Sequence, residues 1–148
     1  MRGFSALEIL ISVFIVAAIT AVVFGAMNRF RDARELDSAA GEIENALRRA
    51  RSLTLASEEG SQFGVYFEAS RAVLFAGSSF TEGDPKNEIH NIPARVSVSS
   101  VNFSGSLVVF ERLTGRASPA GNVVVSLKND PSRLRTIYAD TGGLIYVE

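Results

Sequence analysis

One carboxylate stands at the edge of a long apolar run. Glu8 precedes Ile9–Met27, a stretch of nineteen residues without a formal charge. Near the middle of a bilayer a carboxylate costs at most about 3 kcal/mol on insertion scales, so such a group calls for a function. It can neutralise a cation there, or it can lie at headgroup level and be solvated. The other chemistry-bearing residues are sparse. There is no cysteine, which removes disulfides, thiolate metal sites and cysteine nucleophiles. His90 is the single histidine, so a triad would have to use it and a multi-histidine metal site is excluded. Glu88 lies close to it, but no nucleophile accompanies the pair, and G-x-S-x-G, P-loop and H-E-x-x-H sequences are absent. The segment Glu82-Gly83-Asp84-Pro85-Lys86-Asn87-Glu88 offers oxygen ligands, yet it lacks the EF-hand order and Lys86 opposes a cation such as calcium. No catalytic residue, cofactor or metal is therefore expected, no small-molecule substrate is implied, and the chain reads as a non-enzyme. Two arginine groups could meet anions. Arg48, Arg49 and Arg51 lie close together near Glu42, Glu44 and Glu58, which favours a solvated face. Arg112, Arg116, Arg133 and Arg135 could form a basic patch for DNA.

The elements that must position these residues follow from periodicity. A helix over Ile9–Met27 rises ~1.5 Å per residue and spans ~28 Å, close to the ~30 Å hydrocarbon core. Eleven of its residues are Leu, Ile, Val or Phe, worth about 5 kcal/mol in favour of insertion. The run exceeds the apolar region of a cleavable secretory signal, Glu8 sits where such a signal rarely carries an acid, and no clear A-x-A site follows. Ala17, Ala21 and Gly25 recur every four residues, a line of small side chains that permits close helix packing.

Helical spacing continues beyond the apolar run. Phe30, Ala33, Leu36, Ala40, Ile43, Leu47, Ala50 and Leu53 step by three or four and define one apolar stripe. Arg31–Glu35 and Glu44–Arg48 are opposite charges four apart. No proline interrupts residues 4–59, and Gly60 is a natural stop. A break near Asn28 or at Gly25 is the alternative to one helix of ~84 Å. From Ser61 onward the pattern changes to strands: an alternating Phe63, Val65, Phe67 run forms a hairpin with Arg71–Ala76. Further runs are Arg95–Phe103, Leu107–Leu113, Asn122–Leu127, Leu134–Ala139 and Leu144–Val147, separated by turn residues. About seven short strands predict a compact antiparallel domain. Its small core gains from an amphipathic helix laid on one face.

The segment Gly3-Phe4-Ser5-Ala6-Leu7-Glu8-Ile9-Leu10 resembles the start of the type IV pilin and pseudopilin family. The head is similar to the minor pseudopilins of GspH/FimT type, on "FGVYF", "VLFAGSSF", "VVFERLTGRA" and the final "DTGGLIYV". The resemblance implies a leader ending in glycine, cleavage after that glycine by a prepilin peptidase, N-methylation of the new first residue, and a glutamate at the fifth mature position. Those roles fall on Gly3, Phe4 and Glu8. Cleavage would expose an amine on Phe4, largely charged near neutral pH. Glu8 could then neutralise the amine of a neighbouring subunit, and breaking such a buried pair costs about 3–5 kcal/mol.

Three departures from the family pattern are visible. The leader, Met1-Arg2-Gly3, holds one basic side chain. Gly25 stands where many members carry a proline. Arg29, Arg31 and Arg34 follow the apolar run on the side the resemblance places outside the cytoplasm, against the positive-inside tendency, although Asp32, Glu35 and Asp37 are interleaved with them.

The expected architecture is thus α+β and pilin-like: residues 1–3 a leader, 4–28 a transmembrane and assembly helix, 29–60 an amphipathic helix, and 61–148 an antiparallel β head. The expected function is a methylated, membrane-anchored prepilin subunit of a type IV pilus (fimbrium) or of a type II secretion-like pseudopilus serving protein secretion. Its partners would be the peptidase, the membrane and other pilin subunits, with the head beyond the cytoplasmic (inner) membrane. Two other functions remain open on sequence: a filament-tip module whose head binds DNA or another ligand, and an uncleaved single-pass scaffold.

Overall fold

The computed structural model describes residues 5–56 and 60–148, so the expected cleavage and methylation positions, Gly3 and Phe4, lie outside the described residues. One helix, α1, spans Ala6–Leu55 and passes unbroken through Gly25 and Asn28. Its described end falls short of Gly60. The chain divides into two units, Met1–Arg34 and Glu35–Glu148.

In the first unit Ser5 caps the helix, its Oγ accepting a hydrogen bond from Leu7 N at 3.3 Å. The large apolar side chains from Leu7 to Phe30 are all exposed. The two polar side chains inside the run are satisfied internally. Ser12 Oγ donates to Glu8 O at 2.8 Å and Thr20 Oγ1 to Val16 O at 2.7 Å. That is what an apolar surrounding demands, since no water would be there to satisfy them. α1 contains a segment long and apolar enough to cross a membrane, with mean hydropathy 2.8. Phe30, placed by its spacing on the buried stripe, is instead 60% exposed, and the Arg34 guanidinium lies 4.7 Å from its ring centre.

In the second unit the remaining stripe is buried as its period predicts. Leu36, Ala40, Ile43, Leu47 and Ala50 are almost fully enclosed, joined by Ala39 and Ala46, while Leu53 is partly buried against the same core. The helix covers two antiparallel sheets. The first has the order β3-β2-β1-β5-β6, from β1 (Phe63–Phe67), β2 (Arg71–Ala76), β3 (Glu88–Asn91), β5 (Leu107–Phe110) and β6 (Ala117–Ser118). The second has the order β4-β7-β8-β9, from β4 (Val96–Val101), β7 (Gly121–Leu127), β8 (Leu134–Ala139) and β9 (Ile145–Val147). The expected hairpin is present, with Val65 opposite Leu74. Alternation sends Val123, Val125, Leu127, Ile137, Ala139 and Ile145 into the core. Gly64 is required in β1, because a Cβ there would lie 2.6 Å from Val108 O and 2.7 Å from the Phe75 ring.

Two strands escape the sequence pattern. β3 reads Glu-Ile-His-Asn and lacks an apolar alternation, and β6 has two residues. Two others are shorter than expected. β4 stops at Val101, and β5 stops at Phe110, where the turn closed by Glu111 N to Arg116 O begins; Leu113 within it has φ +69. Where the helix gives way to β1, Thr54 makes the joint: its buried Oγ1 donates to Ala50 O at 2.8 Å and accepts from Phe63 N at 2.9 Å.

Candidate functional site

Glu8 is exposed and occupies the third helical position after the Ser5 cap. Ser5-Ala6-Leu7-Glu8 is a capping-box sequence, and an acid in the first turn also complements the helix dipole. This local role was readable from the Ser-x-x-Glu spacing. The carboxylate is therefore placed at the helix start and open to a partner. Ala17, Ala21 and Gly25 are likewise exposed on α1, and a Cβ at Gly25 would meet nothing within 4 Å. The small-residue line is thus an uncovered face.

The head separates the four arginines expected to form one basic patch. Arg116 Nε donates to Thr141 O at 3.3 Å, at one end of β8, whereas Arg133 and Arg135 lie at the other end. At ~3.3 Å per residue the length of that strand is roughly 20 Å. Arg135 is further committed to Asp37 at 3.0 Å. Arg112 and Arg116 instead join the helix arginines, because Arg51 Nε donates to Gly115 O at 3.2 Å in the same turn. The face of Arg48, Arg49 and Arg51 is docked as well as solvated. Arg48 bridges Glu44 at 2.6 Å and donates to Ile145 O at 3.0 Å, and Arg49 bridges Glu88 at 3.0 Å. Glu35 lies 3.7 Å from Arg95.

The acidic loop is occupied by its own contacts. Glu82 meets Arg71 at 2.8 Å, Asp84 Oδ1 accepts from Lys86 N at 2.9 Å, and Glu88 is held by Arg49. Among the described residues no group of three acids or histidines is arranged to hold a metal. His90 lies on β3, its Nδ1 3.3 Å from Glu42 and its Nε2 3.4 Å from Glu88. The Nε2 is buried and has no hydrogen-bond partner among the described residues. Arg71 bonds Glu68 at 2.6 Å, which holds the Glu68 carboxyl below its ordinary pKa and raises that of Arg71. A groove of about 470 Å³ borders the outer face of the second sheet, where Tyr138 and Tyr146 stack with ring centres 4.9 Å apart.

No protein-family model matches the sequence, and neither does any curated protein. Solved structures do match. The minor pseudopilin EpsH from the Type 2 Secretion System of Vibrio cholerae aligns with a TM-score of 0.58 at 13% identity, over 77% of this chain and 96% of that one. The type IV minor pilin FimU of Pseudomonas aeruginosa aligns with a TM-score of 0.62 at 17% identity, over 80% of this chain and 92% of that one. A second crystal form of FimU gives 0.59 at 17% identity, over 76% and 92%. The chain has a pilin-like fold. At such identities the likeness establishes architecture, and it agrees with the α+β arrangement and with the resemblance read from the sequence.

Proposed function

We propose that this chain is a structural, non-catalytic subunit of a type IV pilus or a type II secretion-like pseudopilus. A prepilin peptidase cuts between Gly3 and Phe4, and Phe4 is then N-methylated. The segment 4–28 anchors the subunit in the cytoplasmic membrane with the head outside the cytoplasm. The same segment assembles the subunit into an extracytoplasmic filament, where Glu8 pairs with the Phe4 amine of a neighbour and Ala17, Ala21 and Gly25 allow close helix approach.

The observation that carries this reading is the division of labour along α1. From Leu7 to Phe30 every large apolar side chain is exposed, while the stripe from Leu36 to Ala50 is buried against the sheets, in a chain with a pilin-like fold. A helix that hides one half and leaves the other apolar on all sides requires lipid or neighbouring helices for the second half. Mass spectrometry of the chain recovered from its native membrane tests the proposal. A mature protein beginning at a methylated Phe4 is the expected result; an intact Met1 in assembled filaments overturns it.

A further inference from the structure

Leu113 breaks two rules at once. It is 84% exposed, the most exposed large apolar side chain among the described residues, and it holds φ at +69, a conformation that bulky L residues avoid. Such a conformation is held in place by the surrounding structure, and residues in it cluster at functional sites. It stands at the tip of a tight turn closed by Glu111 N to Arg116 O at 2.9 Å and Gly115 N to Glu111 O at 2.9 Å. Two further exposed leucines share this end of the head. Leu55 ends α1 and would contact a Cβ at Gly115 at 3.0 Å, and Leu144 shares a cleft with it. The cleft is about 320 Å³ and is lined by Arg48, Arg51, Ser52 and Leu55 of the helix and by Gly143–Ile145.

The guanidiniums here are held in a particular way. Arg51 and Arg116 each use Nε to donate to a backbone carbonyl, Gly115 O and Thr141 O. Their terminal nitrogens hold no carboxylate among the described residues, and neither does Arg112, which is exposed. A guanidinium anchored through Nε and open at its two terminal nitrogens is set for bidentate contact with a carboxylate. Arg48 differs, since Glu44 already neutralises it.

The charge balance decides which anion fits. Against Arg48, Arg51, Arg112 and Arg116 stand Glu44, Glu111 and Asp140. Glu111 accepts from Thr114 Oγ1 at 3.3 Å and Asp140 from Leu144 N at 2.8 Å, so these two acids brace turns. Among the described residues, four cations and three anions leave this end nearly neutral. A polyphosphate backbone gains affinity by having many charges neutralised, and here it would meet three carboxylates. A single carboxylate beside an apolar side chain meets only the open forks and the leucines.

We propose that this end of the head is a docking site for a partner protein segment that pairs an Asp or Glu carboxylate with an apolar side chain. The carboxylate is taken by the open guanidiniums of Arg51, Arg112 and Arg116, and Leu113 with Leu55 and Leu144 forms the apolar contact. The site is distinct from the exposed apolar segment of α1 and does not depend on processing at Gly3.

Selection of a random dodecapeptide library on the full-length chain in detergent micelles tests this. The expected peptides carry an acid next to Leu, Ile, Phe or Met. Their affinity, measured by fluorescence anisotropy, should fall about tenfold or more with Leu113→Ser and with Arg112→Gln, the usual size of an anchor-residue loss. Both residues are exposed, so both variants should fold. Arg133→Gln, at the far end of β8, should change nothing. A consensus without acids, the absence of any consensus, or binding indifferent to Leu113→Ser overturns the proposal. A short DNA duplex that displaces the peptides and binds Leu113→Ser as well as wild type also overturns it, in favour of nucleic acid.

Discussion

Gly143 packs directly against the carbonyl oxygen of Gly115, so the loop before β9 and the loop before β6 meet beneath Arg51. Gly143 has φ +80, and a Cβ there would fall on Gly115 O and within 2.8 Å of Arg51 Nε. Neither a backbone carbonyl nor a strained φ yields easily. Gly143→Ala should therefore cost about 2 kcal/mol or more. A thermal melt of the variant should show a drop of several degrees, and an unchanged midpoint would mean that the two loops do not meet.

Leu47 and Arg48 are chain neighbours about 100° apart around α1. Leu47 is fully buried, and truncating it to alanine should cost about 2–5 kcal/mol. The Arg48 side chain is 56% exposed, so its ion pair with Glu44 is worth at most about 1 kcal/mol. Denaturant unfolding of Leu47→Ala and Arg48→Ala should separate them clearly. Equal losses would mean that the helix does not dock on the sheets.

Thr54→Val should destabilise by about 1–3 kcal/mol, because it keeps the shape of the side chain and leaves the Phe63 N–H without its acceptor. Urea titration measures this. A loss no greater than that of an exposed substitution would place the stability of the helix-to-β1 joint elsewhere.

The sequence was most legible where a period runs long. The apolar run, the buried stripe from Leu36 to Ala50 and the β1–β2 hairpin are all visible as spacing. It was least legible where contacts are set by distant parts of the chain. Glu88–Asn91 forms β3 only because β2 offers a free edge and Arg49 and Glu42 supply counterparts for Glu88 and His90. For the same reason the basic patch of Arg112, Arg116, Arg133 and Arg135 is not formed. Arg116 and Arg135 are both near β8 in space, but strand direction puts them at opposite ends, and no local pattern tells that Arg51 shares a turn with Arg116. Leu113 looked like the end of a strand, and its positive φ is set by the turn that follows Phe110.

Arg71 links Glu68 and Glu82 at the start of β2. The Glu68 hydrogen bond to Arg71 depresses the Glu68 pKa in the folded chain. A group with a depressed folded pKa adds stability above its unfolded value, about 4.3 for Glu, and that contribution is lost as pH falls through the folded value. Wild type should therefore lose stability on acidification below about pH 4.3, and Glu68→Gln should lose less over the same interval. Melting midpoints of both proteins across acid pH check the sign; parallel curves would remove Glu68 from the account.

Glu8 has two roles to separate, capping α1 and pairing with an amine. At the third helical position glutamine serves a capping box as well as glutamate does, whereas valine does not. Neither can neutralise a cation. Membrane insertion should survive both Glu8→Gln and Glu8→Val, since removing a carboxylate from the apolar run only favours it. Filament incorporation separates the roles. If Glu8 acts as the partner of the Phe4 amine, both variants should be excluded from filaments, because each leaves a buried amine unpaired at about 3–5 kcal/mol. Incorporation of Glu8→Gln at the wild-type level, with Glu8→Val reduced, would assign Glu8 to the helix cap and withdraw the ion pair from the assembly mechanism.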